Sequence, residues 1–125
     1  MQSRSLFNRT ISNGGGTFEM HADNFNRQDI KSGYTVGLVE GTFAYSPTDN
    51  KRIFNYGIAR AIEKHPEADA IGTWVNGDRI HIDPVRIFQD FDSALKFARE
   101  KKQIAFFHLD TFTEYTVADY DEKGQ

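Results

Sequence analysis

The dipeptide Asn76-Gly77, set between Ile71-Gly72-Thr73-Trp74-Val75 and Asp78-Arg79-Ile80-His81-Ile82, constrains this chain more than any other feature. Asn-Gly favours a two-residue type I′ turn because both residues tolerate positive φ, and that turn twists to match antiparallel strands. The flanking runs are rich in β-branched and aromatic residues, which suit a pleated, half-buried surface. The pattern predicts a β-hairpin, closed after its second strand by Pro84. An antiparallel sheet is therefore the frame for the rest of the reading.

Further strands are expected at Thr17–His21, Tyr34–Val39, Thr42–Tyr45, Gln103–Leu109 and Glu114–Val117. Tyr34–Val39 and Thr42–Tyr45 form either a hairpin or one long strand bent at Gly41. Ser46-Pro47-Thr48-Asp49 announces a helix from about Asn50 to Lys64, with Thr48 or Asp49 as its cap. Phe54, Ile58, Ala61 and Ile62 share one face of it, and Gly57 in its interior signals close packing. Asp90 or Asp92 caps a second helix running to about Lys102, with Phe91, Ala94, Leu95 and Ala98 on one face. The order β-ββ-α-ββ-α-β-β predicts a single α+β domain, a mostly antiparallel sheet with two helices packed on it.

The 125 residues are one domain's worth of chain. Ser12-Asn13-Gly14-Gly15-Gly16 reads as a hinge, so residues 1–16 are expected to be a flexible N-terminal arm. Residues 17–118 make the α+β domain, and residues 119–125 an acidic C-terminal tail. From Asp110 onward five acids face the single base Lys123, which leaves the body near neutral within a net charge of −3. A neutral body lacks the basic stripe of a phosphate-dominated interface, which argues against nucleic acid. There is no cysteine, so disulfides, thiolate nucleophiles and Cys-ligated metals are excluded. No stretch approaches the ~18 apolar residues of a membrane span, and Met1–Ser12 has no apolar signal core. A cytoplasmic protein without a membrane partner is the expectation.

Three histidines occur as His-x-Asp: His21/Asp23, His81/Asp83 and His108/Asp110. Positions i and i+2 of a strand share a face, so each pair can present imidazole beside carboxylate, as a metal site or an acid–base pair requires. The same pairs also read as ordinary strand ends whose Asp opens the next turn. That plainer reading leads, so neither a metal nor a catalytic residue is assigned. Walker, Gly-x-Ser-x-Gly, His-Glu-x-x-His and EF-hand patterns are absent from the sequence. Aromatic residues are 14% of the chain, and Phe106-Phe107 on one strand must face opposite ways. Tyr34, Tyr45, Trp74 and the outward Phe are candidates for an apolar partner-binding patch, or else for a second core layer.

The motifs Asn13-Gly14-Gly15-Gly16-Thr17, Ser32-Gly33-Tyr34-Thr35-Val36, Gly72-Thr73-Trp74 through Asp83, Asp92–Ala98 and Gln103-Ile104-Ala105 span most of the chain. Together they resemble a group of small domains encoded by phages, plasmids and other mobile elements. In that group the positions of His81 and His108 usually carry other residues. The resemblance implies no established reaction. It implies an accessory protein that binds and blocks host machinery.

The leading expectation is a phage or mobile-element accessory protein, not an enzyme, that binds a host protein and inhibits a host defence system. Tyr34, Trp74, His81, Asp83 and Gln103 are its expected contact residues, with no cofactor. The alternatives are a small-ligand or metal-dependent enzyme using the His-x-Asp pairs, and a structural virion or assembly component that would oligomerise.

Overall fold

A computed structural model of the chain describes residues 5–20 and 28–120. Among these, the elements run α1 (Leu6–Asn13), β1 (Gly15–Glu19), β2 (Tyr34–Gly37), β3 (Ala44–Pro47), α2 (Lys51–Lys64), β4 (Ala70–Asn76), β5 (Arg79–Phe88), α3 (Phe91–Glu100), β6 (Ala105–His108) and β7 (Thr113–Thr116). A 3₁₀ turn, Val117–Tyr120, follows. The seven strands form one antiparallel sheet in the order β1-β4-β5-β2-β6-β7, with β3 also on β5. The expected single α+β domain is the observed architecture.

Strand β5 organises this sheet. Along one side it pairs with all of β4. Along the other it pairs first with β3, through Arg79–Ile82, and then with β2, through Val85–Phe88. So β2 and β3 are neither a hairpin nor a continuous bent strand. They are two consecutive pieces along one edge of β5, separated by a short excursion. Pro84 lies at the break. Its carbonyl accepts from the Leu38 N–H, so the nitrogen that lacks a proton faces the same gap, where no ladder bond is lost.

Alternation along β5 sorts the side chains. Ile80 and Ile82, with Ile71 of β4 and Phe18 of β1, pack under Leu6 of α1 and Phe54, Ile58 and Ala61 of α2. Phe88, with Val36 of β2 and Phe106 of β6, packs under Ala94, Leu95 and Ala98 of α3. Phe97 touches both clusters. All three helices therefore lie on one face of the sheet. Gly57 behaves as expected: a Cβ there would come within 2.7 Å of Ile82 Cδ1.

Four local expectations are corrected. Residues 6–13, expected to be part of a flexible arm, form α1. Ser5 caps this helix by accepting from the Asn8 N–H, Gly14 ends it at φ 80°, and Leu6 and Thr10 are fully buried. The glycines after it are not a hinge, since a side chain at Gly15 would run into the Thr73 carbonyl at 2.5 Å. The cap of α2 is Asn50, which accepts from the Ile53 N–H, in place of Thr48 or Asp49. The hairpin turn is Gly77-Asp78, with Asn76 paired to Arg79. Positive φ is confined there to Gly77, as a type II′ turn requires, so each cross-strand pair is two residues out from the type I′ expectation. At the other end, Asp119 and Tyr120 belong to the 3₁₀ turn and so are folded, not tail.

Because Leu6 sits in the core, Leu6→Ala is expected to cost about 2–5 kcal/mol in urea denaturation, the usual range for such a truncation. An unpacked arm would show a change within about 0.5 kcal/mol.

Candidate functional site

The face of the sheet away from the helices carries the odd-numbered side chains of β5 and the even-numbered ones of β4. Cross-strand register lines up Gly15, Trp74, His81 and Tyr45 as one row over β1, β4, β5 and β3. The next row is Thr17, Gly72 and Asp83. Trp74 is 59% exposed and Tyr45 50%, which is unusual for large rings on the body of a sheet. Between them lies His81, its ring 5.4 Å from that of Trp74 and 4.8 Å from that of Tyr45. Arg79 places its guanidinium 5.0 Å over Tyr45. A shallow recess of about 310 Å³, lined by Tyr45, Ser46, Pro47, Asp78 and Arg79, borders the row on the hairpin side.

The excursion between β2 and β3 holds the polar members in place. Thr42 Oγ1 and His81 Nδ1 share a hydrogen bond of 2.9 Å, and Asp83 Oδ1 accepts from the Phe43 N–H at 2.8 Å. Burial raises the Asp83 carboxyl above its ordinary range, opposed by the Phe43 N–H and by His81. The acid–base reading of this pair meets a geometric obstacle. His81 and Asp83 share a face as expected, but each is bonded to the excursion.

The other sequence candidates fall elsewhere. Tyr34 lies on the helix side, stacked on His108 with ring centroids 4.1 Å apart and edge-on to Phe91 of α3. It belongs to the second core cluster and not to the exposed patch. Gln103 braces the end of β2: its amide donates to the Val39 carbonyl at 2.6 Å and lies against Gly37. Phe106 is core, while Phe107 faces outward and meets the exposed Phe112.

The His-x-Asp pairs do not converge. His108 Nε2 lies 3.2 Å from Asp110 Oδ1, and that oxygen also accepts from the Gly33 N–H, closing the turn before β2. His108 stands on the helix face and His81 on the opposite one. His21 and Asp23 lie outside the described residues. Among the described residues no three His, Asp or Glu side chains group as metal ligands would. No helix there is long and apolar enough to cross a membrane.

Searches against protein-family models, curated proteins and solved structures give no match. The site therefore rests on its own geometry.

The raised Asp83 pKa has a definite sign. The native state holds that proton more tightly than the unfolded chain, so stability falls as pH rises from the ordinary carboxylate range through the raised value. Asp83→Asn keeps an acceptor for the Phe43 N–H and is expected to remove that part of the pH dependence in denaturant titrations. Asp83→Ala strands the half-buried N–H and is expected to cost about 1–3 kcal/mol.

Proposed function

We propose that this chain is a protein-binding module that works through the outer face of its sheet, with Trp74, His81 and Tyr45 as the contact row. One observation carries the reading: two large rings stay half or more exposed on a strand surface where His81, fixed by Thr42, holds them apart. Exposed aromatics on a rigid scaffold are the usual anchors of protein interfaces, because they offer large contact area at little entropic cost. The proposed setting is that of a phage or mobile-element accessory protein acting on a host protein, with a defence component as the target. The resemblance of the sequence motifs supports that setting, and the geometry supports the surface.

The enzyme reading draws less support. His81 and Asp83 are its best pair, and both are engaged by the excursion. Tyr34 and Gln103, which would line its cleft, are packed elsewhere.

Affinity capture from host extract, followed by titration of the purified captured protein, tests the proposal. Trp74→Ala with Tyr45→Ala is expected to weaken that binding at least 10-fold. Thermal stability should change little, because exposed positions contribute weakly to the fold. Wild-type affinity in the double variant overturns the assignment of the surface, and turnover of a small substrate by the purified protein overturns the non-enzymatic reading.

A further inference from the structure

Gly72 is the unexplained residue of the outer face. Glycine weakens a strand interior, and a fold keeps one there for a positive φ, a crowded backbone, or something that must approach closely. The first two causes are absent. Gly72 has no positive φ, and a Cβ built on it would meet its nearest neighbours, Val85 Cγ1 and the Asp83 carbonyl, at an ordinary 3.6 and 3.7 Å. Among the described residues a Cβ fits here in ordinary contact, and the chain supplies none.

What surrounds the bare position narrows the third cause. Gly72 is the cross-strand partner of Asp83, and Trp74 and His81 are the pair beside them on the same face. The four positions form a square in which the half-buried Gly72 is bare backbone beside an indole and a carboxylate, at the border of the buried Thr17, Ala70 and Val85 of the same face. Asp83 accepts from a neutral amide, and among the described residues no lysine or arginine pairs with it. Of the two exposed rings, Tyr45 already carries Arg79, whereas no cation of the described residues stands over Trp74. The square thus offers a bare stretch of strand, a π face with no cation over it and a carboxylate whose charged neighbour is His81, with no lysine or arginine of the described residues on either. A guanidinium matches all three: it is planar, stacks on indole, and donates two parallel hydrogen bonds to a carboxylate.

We propose that the outer face takes an arginine side chain from an extended segment of the partner protein, lying over Gly72 against Trp74 with its N–H groups on Asp83. This rests on the partner-binding reading above and adds the chemistry of the contact.

Trp74 is the single tryptophan of the chain, so its fluorescence reports the square directly. The probes are an end-blocked Gly-Gly-Arg-Gly-Gly peptide, its lysine counterpart, and free arginine. The arginine peptide is expected to change Trp74 emission saturably, at least 10-fold more tightly than the lysine peptide. Free arginine should bind more weakly than the arginine peptide. Gly72→Val is expected to cover the bare strand and weaken the arginine peptide at least 10-fold while melting no lower than the wild type. Asp83→Asn should abolish the preference for arginine over lysine.

Equal response to the two peptides overturns the proposal, as does full binding by a folded Gly72→Val protein. Should that variant fail to fold, Gly72→Ala and Asp83→Asn carry the same comparison. The two readings fail separately. Loss of the captured partner in the Trp74 and Tyr45 variant, with full retention in Gly72→Val, keeps the surface and removes the arginine. Retention in both removes the surface itself.

Discussion

The two-fold alternation of one strand, β5, underlies everything else in this molecule. Its ten residues pair with β4 along one side and with β3 and then β2 along the other. Ile80, Ile82 and Phe88 thereby face the helices, and Arg79, His81 and Asp83 face away. A slip of one residue would exchange those sets, placing a carboxylate and an imidazole under α2. Full burial of an Ile or Phe side chain is worth about 1.5–3 kcal/mol. Several such residues meet at this strand, so the register is strongly held. The same constraint that builds the core also builds the outer row.

Pro84 and Asp83 show how that strand tolerates an interruption. Proline removes a donor at the point where β2 has ended and β3 has not begun, so the ladder loses nothing. One residue earlier, Asp83 turns its carboxylate to the chain that fills the gap and accepts from Phe43. The excursion returns the favour by fixing His81 through Thr42. Fold and site are joined here, since the piece of chain that bridges two half-strands also sets the ring between Trp74 and Tyr45. The cost is a half-buried carboxylate with no lysine or arginine of the described residues beside it, an arrangement that an apolar residue would avoid.

Much of the fold was legible because its signals are local. The hairpin, the apolar faces of α2 and α3 and the tight packing at Gly57 all follow from spacing within a few residues. What misled was also local. Ser5, Leu6, Thr10 and Asn13-Gly14 spell a capped helix with a glycine stop, yet the run of three glycines reads more strongly as a hinge and masks that stop. Asn76-Gly77 is a strong turn signal, but the hairpin uses Gly77-Asp78, which gives Trp74 the partner His81 instead of Arg79. Tyr34 reads either way from the sequence, as part of an exposed patch or of a second core layer. The parity of β2 against β5, unknowable without the pairing, puts it under α3.

The outer site was legible only in pieces, for a physical reason. Trp74, His81 and Asp83 could be named, but their meaning depends on what stands beside them across strands, and no sequence spacing encodes that. The shared face of His81 and Asp83 follows from period two; their attachment to Thr42 and Phe43 depends on where the chain goes after β2. Gly72 makes the point most sharply. In the sequence it is one of ten glycines, unremarkable beside the glycine run and the turn. In the fold it is a strand residue without positive φ, where a Cβ would meet Val85 and the Asp83 carbonyl at ordinary contact distance, beside an indole and a carboxylate. Glycines that serve the backbone are explained by the backbone. One that no described residue of its own chain explains points outward, to what another chain lays upon it.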